Sequence, residues 1–115
     1  MTEEYIQVIT TCEKKEDAEQ IAKNLIEKRL AGCIQILGPI LSTYWWKGSV
    51  ERAEEWLCFI KSKKSCFADI EKTIKKIHPY EIPEIIALPI VQGSKDYLTW
   101  LGGELEEKKR GGVNK

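Results

Sequence analysis

The sequence predicts an α+β domain, in which two helices cover one face of a four-stranded antiparallel sheet. Two observations lead to this fold class. β-rich segments and segments with helical periodicity follow one another in the order βαββαβ. In addition, the middle of the chain, residues 33–61, reads as one long hairpin. With 115 residues, the chain has the length of a single domain. This element order is the split βαβ, or ferredoxin-like, arrangement.

The first two elements are a strand and an amphipathic helix. Residues 5–11 are rich in β-branched side chains and predict a strand. The next segment has apolar residues at intervals of three and four, which is typical of a helix with one buried face. These residues are Ala18, Ile21, Ala22, Leu25, Ile26 and Leu30. Gly32 then favours a helix end close to Leu30.

The long hairpin supplies the second and third strands. Its arms run through residues 33–46 and 51–60, each about twice the usual strand length of five or six residues. Gly48 lies at the bend, where hairpin turns require positive φ. A two-stranded ribbon is barely stable alone, so Trp45, Trp46 and Trp56 are expected to be buried as anchors of an interface between subunits. The acidic residues at 51, 54 and 55 are expected to be solvated or to lie at the rim of that interface.

The second half of the chain repeats the helix–strand pattern. A second helix with Phe67, Ile70, Ile74 and Ile77 on one stripe is expected to be capped by Ser62 or Ser65 and to end before Pro79. A fourth strand is predicted at residues 84–90, and a short C-terminal helix at 95–101. Residues 103–115 are expected to form a disordered tail.

Both faces of the predicted sheet are apolar. The first strand illustrates this, because Ile6 and Val8 point to one face while Tyr5 and Ile9 point to the other. The helices can cover only one of these faces. A subunit alone would expose a larger apolar patch than soluble monomers tolerate, so the pattern indicates an oligomer.

Several function classes are disfavoured by composition. Basic and acidic residues both number 18, and the resulting zero net charge argues against nucleic-acid binding. No apolar run reaches the ~20 residues of a membrane span, and the first residues lack a secretory signal, so the cytoplasm is the expected location. The four cysteines are scattered, which disfavours a disulfide framework and a zinc site. No catalytic motif is visible, and the chain is not expected to be an enzyme.

Four motifs closely resemble those of the CutA family of divalent-cation tolerance proteins. They are AGCIQI at 31–36, STYWWKG at 42–48, HPYEIPEII at 78–86 and YLTWL at 97–101. The resemblance implies a ferredoxin-like subunit in a homotrimer related in architecture to PII-type signalling proteins, with hairpins that wrap neighbouring subunits. It also implies a link to tolerance of copper and other divalent metals. One departure is Gln35, where the family commonly has asparagine.

The candidate metal ligands are Cys33, His78, Glu81 and Glu84. A thiolate suits copper(I), and the family motif places a cysteine at position 33. The imidazole and the carboxylates, held on a proline-rich connector, suit divalent copper or zinc. The alternative interpretations are a buried structural thiol at Cys33 and a histidine that only stabilises a helix C-terminus. Copper or another divalent cation is thus the expected partner, without being required for folding.

A second candidate site is a cleft between subunits, inferred by analogy with PII-type proteins. Gln35, Tyr44, Lys61 and Tyr80 would line this cleft, where Lys61 could meet an anion. The alternative is that Lys61 extends to solvent and Tyr44 only packs against neighbouring side chains.

The preferred function is a homotrimeric metal-binding protein. The alternatives are a PII-like regulatory module that binds a small anion and a purely structural scaffold.

Overall fold

The computed structural model describes residues 4–105 and confirms the predicted α+β fold. The four strands form one antiparallel sheet in the order β2-β3-β1-β4. A short 3-10 turn, Lys64–Cys66, precedes the second helix. The elements are β1 Tyr5–Cys12, α1 Lys15–Glu27, β2 Cys33–Trp46, β3 Ser49–Lys63, α2 Phe67–Ile77, β4 Ile85–Pro89 and α3 Lys95–Glu104.

The core lies between the sheet and helices α1 and α2. Val8 of β1 pairs with Ile60 of β3, and both side chains are fully buried on the face that the two helices cover. From the helices, Leu25 and Ile74 are also fully buried in this cluster. The amphipathic stripes predicted from the sequence therefore form the contact between helices and sheet.

The opposite face of the sheet, which we call the open face, remains apolar and largely uncovered. Ile86 of β4 pairs with Ile9 of β1. These positions alternate with the core positions, so their side chains point to the face opposite the helices. The exposed fraction is 46% for Ile86, 47% for Leu88 and 55% for Leu37. One subunit alone thus presents a row of large apolar side chains to solvent.

Helix α1 ends at Glu27, one turn before the predicted end at Leu30. Arg29 takes the left-handed conformation with φ 57°, which turns the chain out of the helix without a glycine. The Leu30 N–H then reaches back to the Leu25 carbonyl at 2.9 Å, and the Leu30 side chain is buried. Leu30 therefore follows the apolar spacing of the helix although it lies beyond the helix end, because its side chain packs into the core.

The predicted caps of α2 are wrong. The buried hydroxyl of Ser62 donates to the Leu30 carbonyl at 2.6 Å and so ties β3 to the loop after α1. Ser65 lies within the 3-10 turn, and α2 begins at Phe67 without any side-chain cap. The end of α2 before Pro79 is as predicted, with His78 as the C-terminal cap.

Helix α3 continues further than predicted. It includes Gly103 and ends at Glu104, whose carbonyl accepts a hydrogen bond from Arg29 Nη1 at 2.8 Å. Leu105 is only 4% exposed. Residues 103–105 are therefore ordered by tertiary contacts, and the rest of the predicted tail, 106–115, lies outside the described residues. Within 4–105, none of the helices has the length and apolar character needed to cross a bilayer.

The hairpin contains one glycine that the packing requires. At Gly38 the β2–β3 register shifts, and a Cβ atom there would lie 2.6 Å from Cε3 of the Trp56 ring. We expect Gly38→Ala to lower the free energy of unfolding by about 1–3 kcal/mol, because the indole would have to move. Gly103→Ala is the matched control, since no atom lies within 4 Å of its added Cβ. Urea denaturation measures both, and equal effects would contradict a steric requirement for Gly38.

Candidate functional site

A cavity of about 700 Å³ lies between the outer half of β2 and the connector from α2 to β4. Residues 42–46 form one wall and residues 80–84 form the other, while Thr11 and Glu55 lie between them. We call this space the acidic cleft. Its volume falls within the range of typical ligand pockets, roughly 300–1,000 Å³.

The local sequence explains the position of both walls of the acidic cleft. The hairpin reverses at Lys47 and Gly48, whose φ values are 51° and 85°. The turn predicted at Gly48 is thus confirmed. The reversal extends β2 far beyond the end of β1, so its aromatic segment 44–46 rises next to the connector. Pro79 and Pro83 restrict the connector backbone on the other side.

Glu55 is the residue that sequence reasoning missed. It is only 5% exposed, whereas the sequence predicts a solvated or rim position for the acidic run that contains it. Its Oε2 accepts a hydrogen bond from the Tyr80 hydroxyl at 2.7 Å. Burial and the Glu55 carboxylate raise the pKa of Tyr80, so the phenol remains a neutral donor. Strand parity gave no signal for this burial, because Glu55 is in phase with Leu57 and Phe59, which lie on the open face.

His78 lies directly behind the acidic cleft and is 8% exposed. One ring nitrogen, Nε2, is 2.7 Å from the Thr11 carbonyl oxygen and 3.8 Å from Cys12 Sγ. The other, Nδ1, accepts the Tyr80 N–H at 3.2 Å. Burial lowers the pKa of His78, but the contacts with Cys12 and Thr11 outweigh it, and the net shift is upward. Both nitrogens thus have partners, and metal binding by His78 requires one of them to be given up.

Cys12 and Cys58 form a buried thiol pair next to this histidine. Both are fully buried on neighbouring strands of the helix-covered face. The hydrogen bond from the neighbouring thiol and burial raise the pKa of Cys12, whereas the same hydrogen bond lowers the pKa of Cys58. The Cys12 thiol is therefore held in its protonated form.

The four predicted metal ligands do not converge within one subunit. Cys33 pairs with Lys61 on β3, whereas the His78 contact Thr11 pairs with Leu57. Four strand positions separate these two places, or about 13 Å. Glu81 and Glu84 lie on the wall of the acidic cleft. Within residues 4–105, no three histidine, cysteine or acidic side chains are arranged to hold a metal ion.

The predicted ligand cleft is likewise divided. Lys61 Nζ donates to Gln35 Oε1 at 2.8 Å on the open face, near the inner end of the hairpin. Tyr44 and Tyr80 instead face each other across the acidic cleft. These four residues therefore belong to two separate places on one subunit.

The three tryptophans have different environments. Trp45 is 74% exposed, and the Lys47 ammonium lies 5.5 Å from the ring centroid of Trp46. Trp56 packs against the core of its own subunit, beneath the Lys15 ammonium at 5.5 Å. The partial burial of Trp56 thus arises within the subunit, whereas exposed Trp45 still lacks a covering surface.

Comparison with known proteins gives consistent matches over most of the chain. Residues 6–104 match the family model described as CutA1 divalent ion tolerance protein. The divalent-cation tolerance protein CutA of Thermus thermophilus is 42% identical over 94 residues, 82% of this chain and 91% of that protein. Protein CutA of Mus musculus is 38% identical over 103 residues, 90% of this chain but only 58% of the longer mouse protein. The crystal structure of CutA1 from Oryza sativa superposes with a TM-score of 0.89 at 38% identity, covering 92% of this chain and 97% of that one.

Proposed function

Because the chain belongs to the CutA1 divalent ion tolerance family, and so has a role in divalent-cation tolerance, we propose that it acts as a homotrimer that binds divalent metal, copper foremost. In this proposal the protein binds the metal without catalysis and works in the cytoplasm. The observation that carries the proposal is the family match over residues 6–104.

The open face supports an oligomer. Leu37, Ile86 and Leu88 are about half exposed in one subunit, and a neighbour that covers them removes this apolar surface from water. That the oligomer contains three subunits is inferred from the family resemblance. A cyclic trimer uses a heterologous interface, in which different surfaces of adjacent subunits meet.

In the proposed trimer, a neighbouring subunit would supply the ligands that the metal site lacks within one subunit. Cys33 at the start of β2 is partly accessible, and Glu81 and Glu84 are exposed on the connector. A head-to-tail contact between subunits would bring the thiol of one copy close to the carboxylates and His78 of the next. The thiolate would then bind copper(I), while the nitrogen and oxygen donors would suit copper(II).

Copper titration of the purified oligomer tests this proposal. Isothermal titration calorimetry with copper(I) should show binding that is about tenfold weaker or more in Cys33→Ser, because oxygen is a poor ligand for this soft ion. Glu81→Gln should weaken copper(II) binding instead. Glu19→Gln, an exposed carboxylate on helix α1, is the control. Unchanged copper binding in both Cys33→Ser and Glu81→Gln would refute the assigned ligands.

The anion-binding alternative has less support. Glu55, Glu81 and Glu84 line the acidic cleft, and no lysine or arginine of residues 4–105 joins them. Like charges repel, so this cleft disfavours an anion. Of the four residues predicted to line an anion cleft, Lys61, held by Gln35 on the open face, retains the chemistry of an anion site.

A further inference from the structure

We propose that Cys12 and Cys58 bind a copper(I) ion as a two-coordinate thiolate site inside the core of each subunit. This site is separate from the ligands proposed above, because it uses neither Cys33 nor the carboxylates Glu81 and Glu84. It therefore goes beyond the proposed function and adds a second, buried metal site. The supporting features are a thiol pair, the register of the strands that carry it and unused hydrogen-bond donors beside it.

The thiol pair lies on the helix-covered face of the sheet, inside one subunit. Cys12 and Cys58 are both 0% exposed and belong to the core cluster between the sheet and helices α1 and α2. Their side chains share a thiol hydrogen bond. Because the two faces of a sheet are separate, an oligomer formed through the open face leaves this site intact.

The strand register suits a bridging ion better than a disulfide. Cys12 lies opposite Trp56, and Cys58 lies opposite Thr10, so the two cysteines are diagonal neighbours. Diagonal positions are about 7–8 Å apart, which is more than most disulfides span. An ion on the line between two sulfur atoms, with bonds of about 2.3 Å, holds them about 4.6 Å apart. The register thus favours an ion between the two thiols over a direct bond.

The number of ligands selects copper(I) over divalent ions. Within residues 4–105, no third histidine, cysteine or acidic side chain completes a metal-binding group around the pair. Zinc in structural sites takes four ligands, whereas thiolates select the soft ion copper(I), which is stable between two of them. Binding forms two copper–sulfur bonds, releases both thiol protons to solvent and transfers no electron.

Two hydrogen-bond donors next to the pair are suited to a thiolate. Thr10 is the strand partner of Cys58, and its buried hydroxyl has no hydrogen-bond partner among the described residues. His78 accepts the Tyr80 N–H at Nδ1, so the neutral ring carries its proton on Nε2, which is 3.8 Å from Cys12 Sγ. A charged sulfur accepts hydrogen bonds more strongly than a thiol. A metal thiolate therefore gives the orphaned hydroxyl a partner that the empty core lacks.

The test uses purified full-length Cys33→Ser, which lacks the thiol of the site proposed above, equilibrated with copper(I) without oxygen. Equilibration over hours is needed, because filling a buried site requires local opening of the fold. After removal of excess ion, this variant should retain copper, and X-ray absorption should show two sulfur neighbours. Cys58→Ala in the same background should weaken copper(I) binding about tenfold or more. Cys66→Ala is the matched control, since Cys66 is equally buried but lies in the 3-10 turn before α2.

Thr10→Val in the Cys33→Ser background separates metal binding from stability. Valine keeps the branched shape and removes the unpartnered hydroxyl, so the metal-free variant should be at least as stable in urea as its parent. Its copper(I) binding should nevertheless weaken about threefold or more, because a donor to the thiolate is lost. These opposite effects remain measurable should Cys58→Ala fail to fold. Unchanged copper(I) binding in Thr10→Val would overturn the assignment of this hydroxyl to the site.

Three results would overturn the buried site as a whole. They are absence of copper in equilibrated Cys33→Ser, equal copper(I) binding after the further Cys58→Ala change, and displacement of copper(I) by an equal concentration of zinc(II). The difference in bound copper between wild type and Cys33→Ser measures the site proposed in the previous subsection. Either proposal can therefore fail alone.

Discussion

Replacing Ile86 with aspartate is expected to convert the wild-type oligomer into monomers at micromolar protein concentration. Ile86 lies on the open face, paired with Ile9, and is 46% exposed in one subunit. In the proposed homotrimer a neighbour covers this side chain. A carboxylate introduced there would be buried without a partner, which costs several kcal/mol for each subunit.

Analytical ultracentrifugation and thermal melting measure this effect. The wild-type melting temperature should rise with protein concentration, because assembly stabilises the folded state by mass action. The melting temperature of Ile86→Asp should be much lower and independent of concentration. Val91→Asp is the control, since Val91 is 85% exposed and lies beyond β4. A monomeric wild type, or an Ile86→Asp variant that remains fully oligomeric, would contradict assembly through the open face.

The second large effect is expected at Leu25 of helix α1. This side chain is fully buried in the core between the helices and the sheet. Leu25→Ala removes buried methyl groups and leaves a cavity, so the free energy of unfolding should fall by about 2–5 kcal/mol. The adjacent Ile26 is 42% exposed on the same helix, and Ile26→Ala should change stability by less than about 1 kcal/mol.

Urea denaturation at one fixed protein concentration compares the two variants. A fixed concentration is needed because assembly contributes to the apparent stability of the folded chain. Similar losses in Leu25→Ala and Ile26→Ala would mean that α1 buries a different face from the one described. Loss of oligomer in Ile26→Ala alone would place this helix in the subunit interface instead.

The order of the helices and strands was predictable because the apolar residues of each element recur with the spacing of a helix or a strand. The stripe containing Ile70 and Ile74 could only form an amphipathic helix, and the residues around Gly48 could only form a tight hairpin turn. The apolar open face was predictable too, from strand parity. Boundaries were less predictable, because a residue such as Leu30 packs into the core without being helical.

The sequence alone thus determined the α+β fold, the long hairpin and the need to cover a second apolar face. It also identified Tyr44, Tyr80, Glu81 and Glu84 as candidate binding residues. Only the tertiary structure placed these four around one cavity and moved Cys33, Gln35 and Lys61 away from it. Only the tertiary structure, likewise, buried Glu55 beneath Tyr80. The reason is that local periodicity specifies which face of a strand a residue occupies, whereas the register between strands and the path of a connector decide which side chains meet.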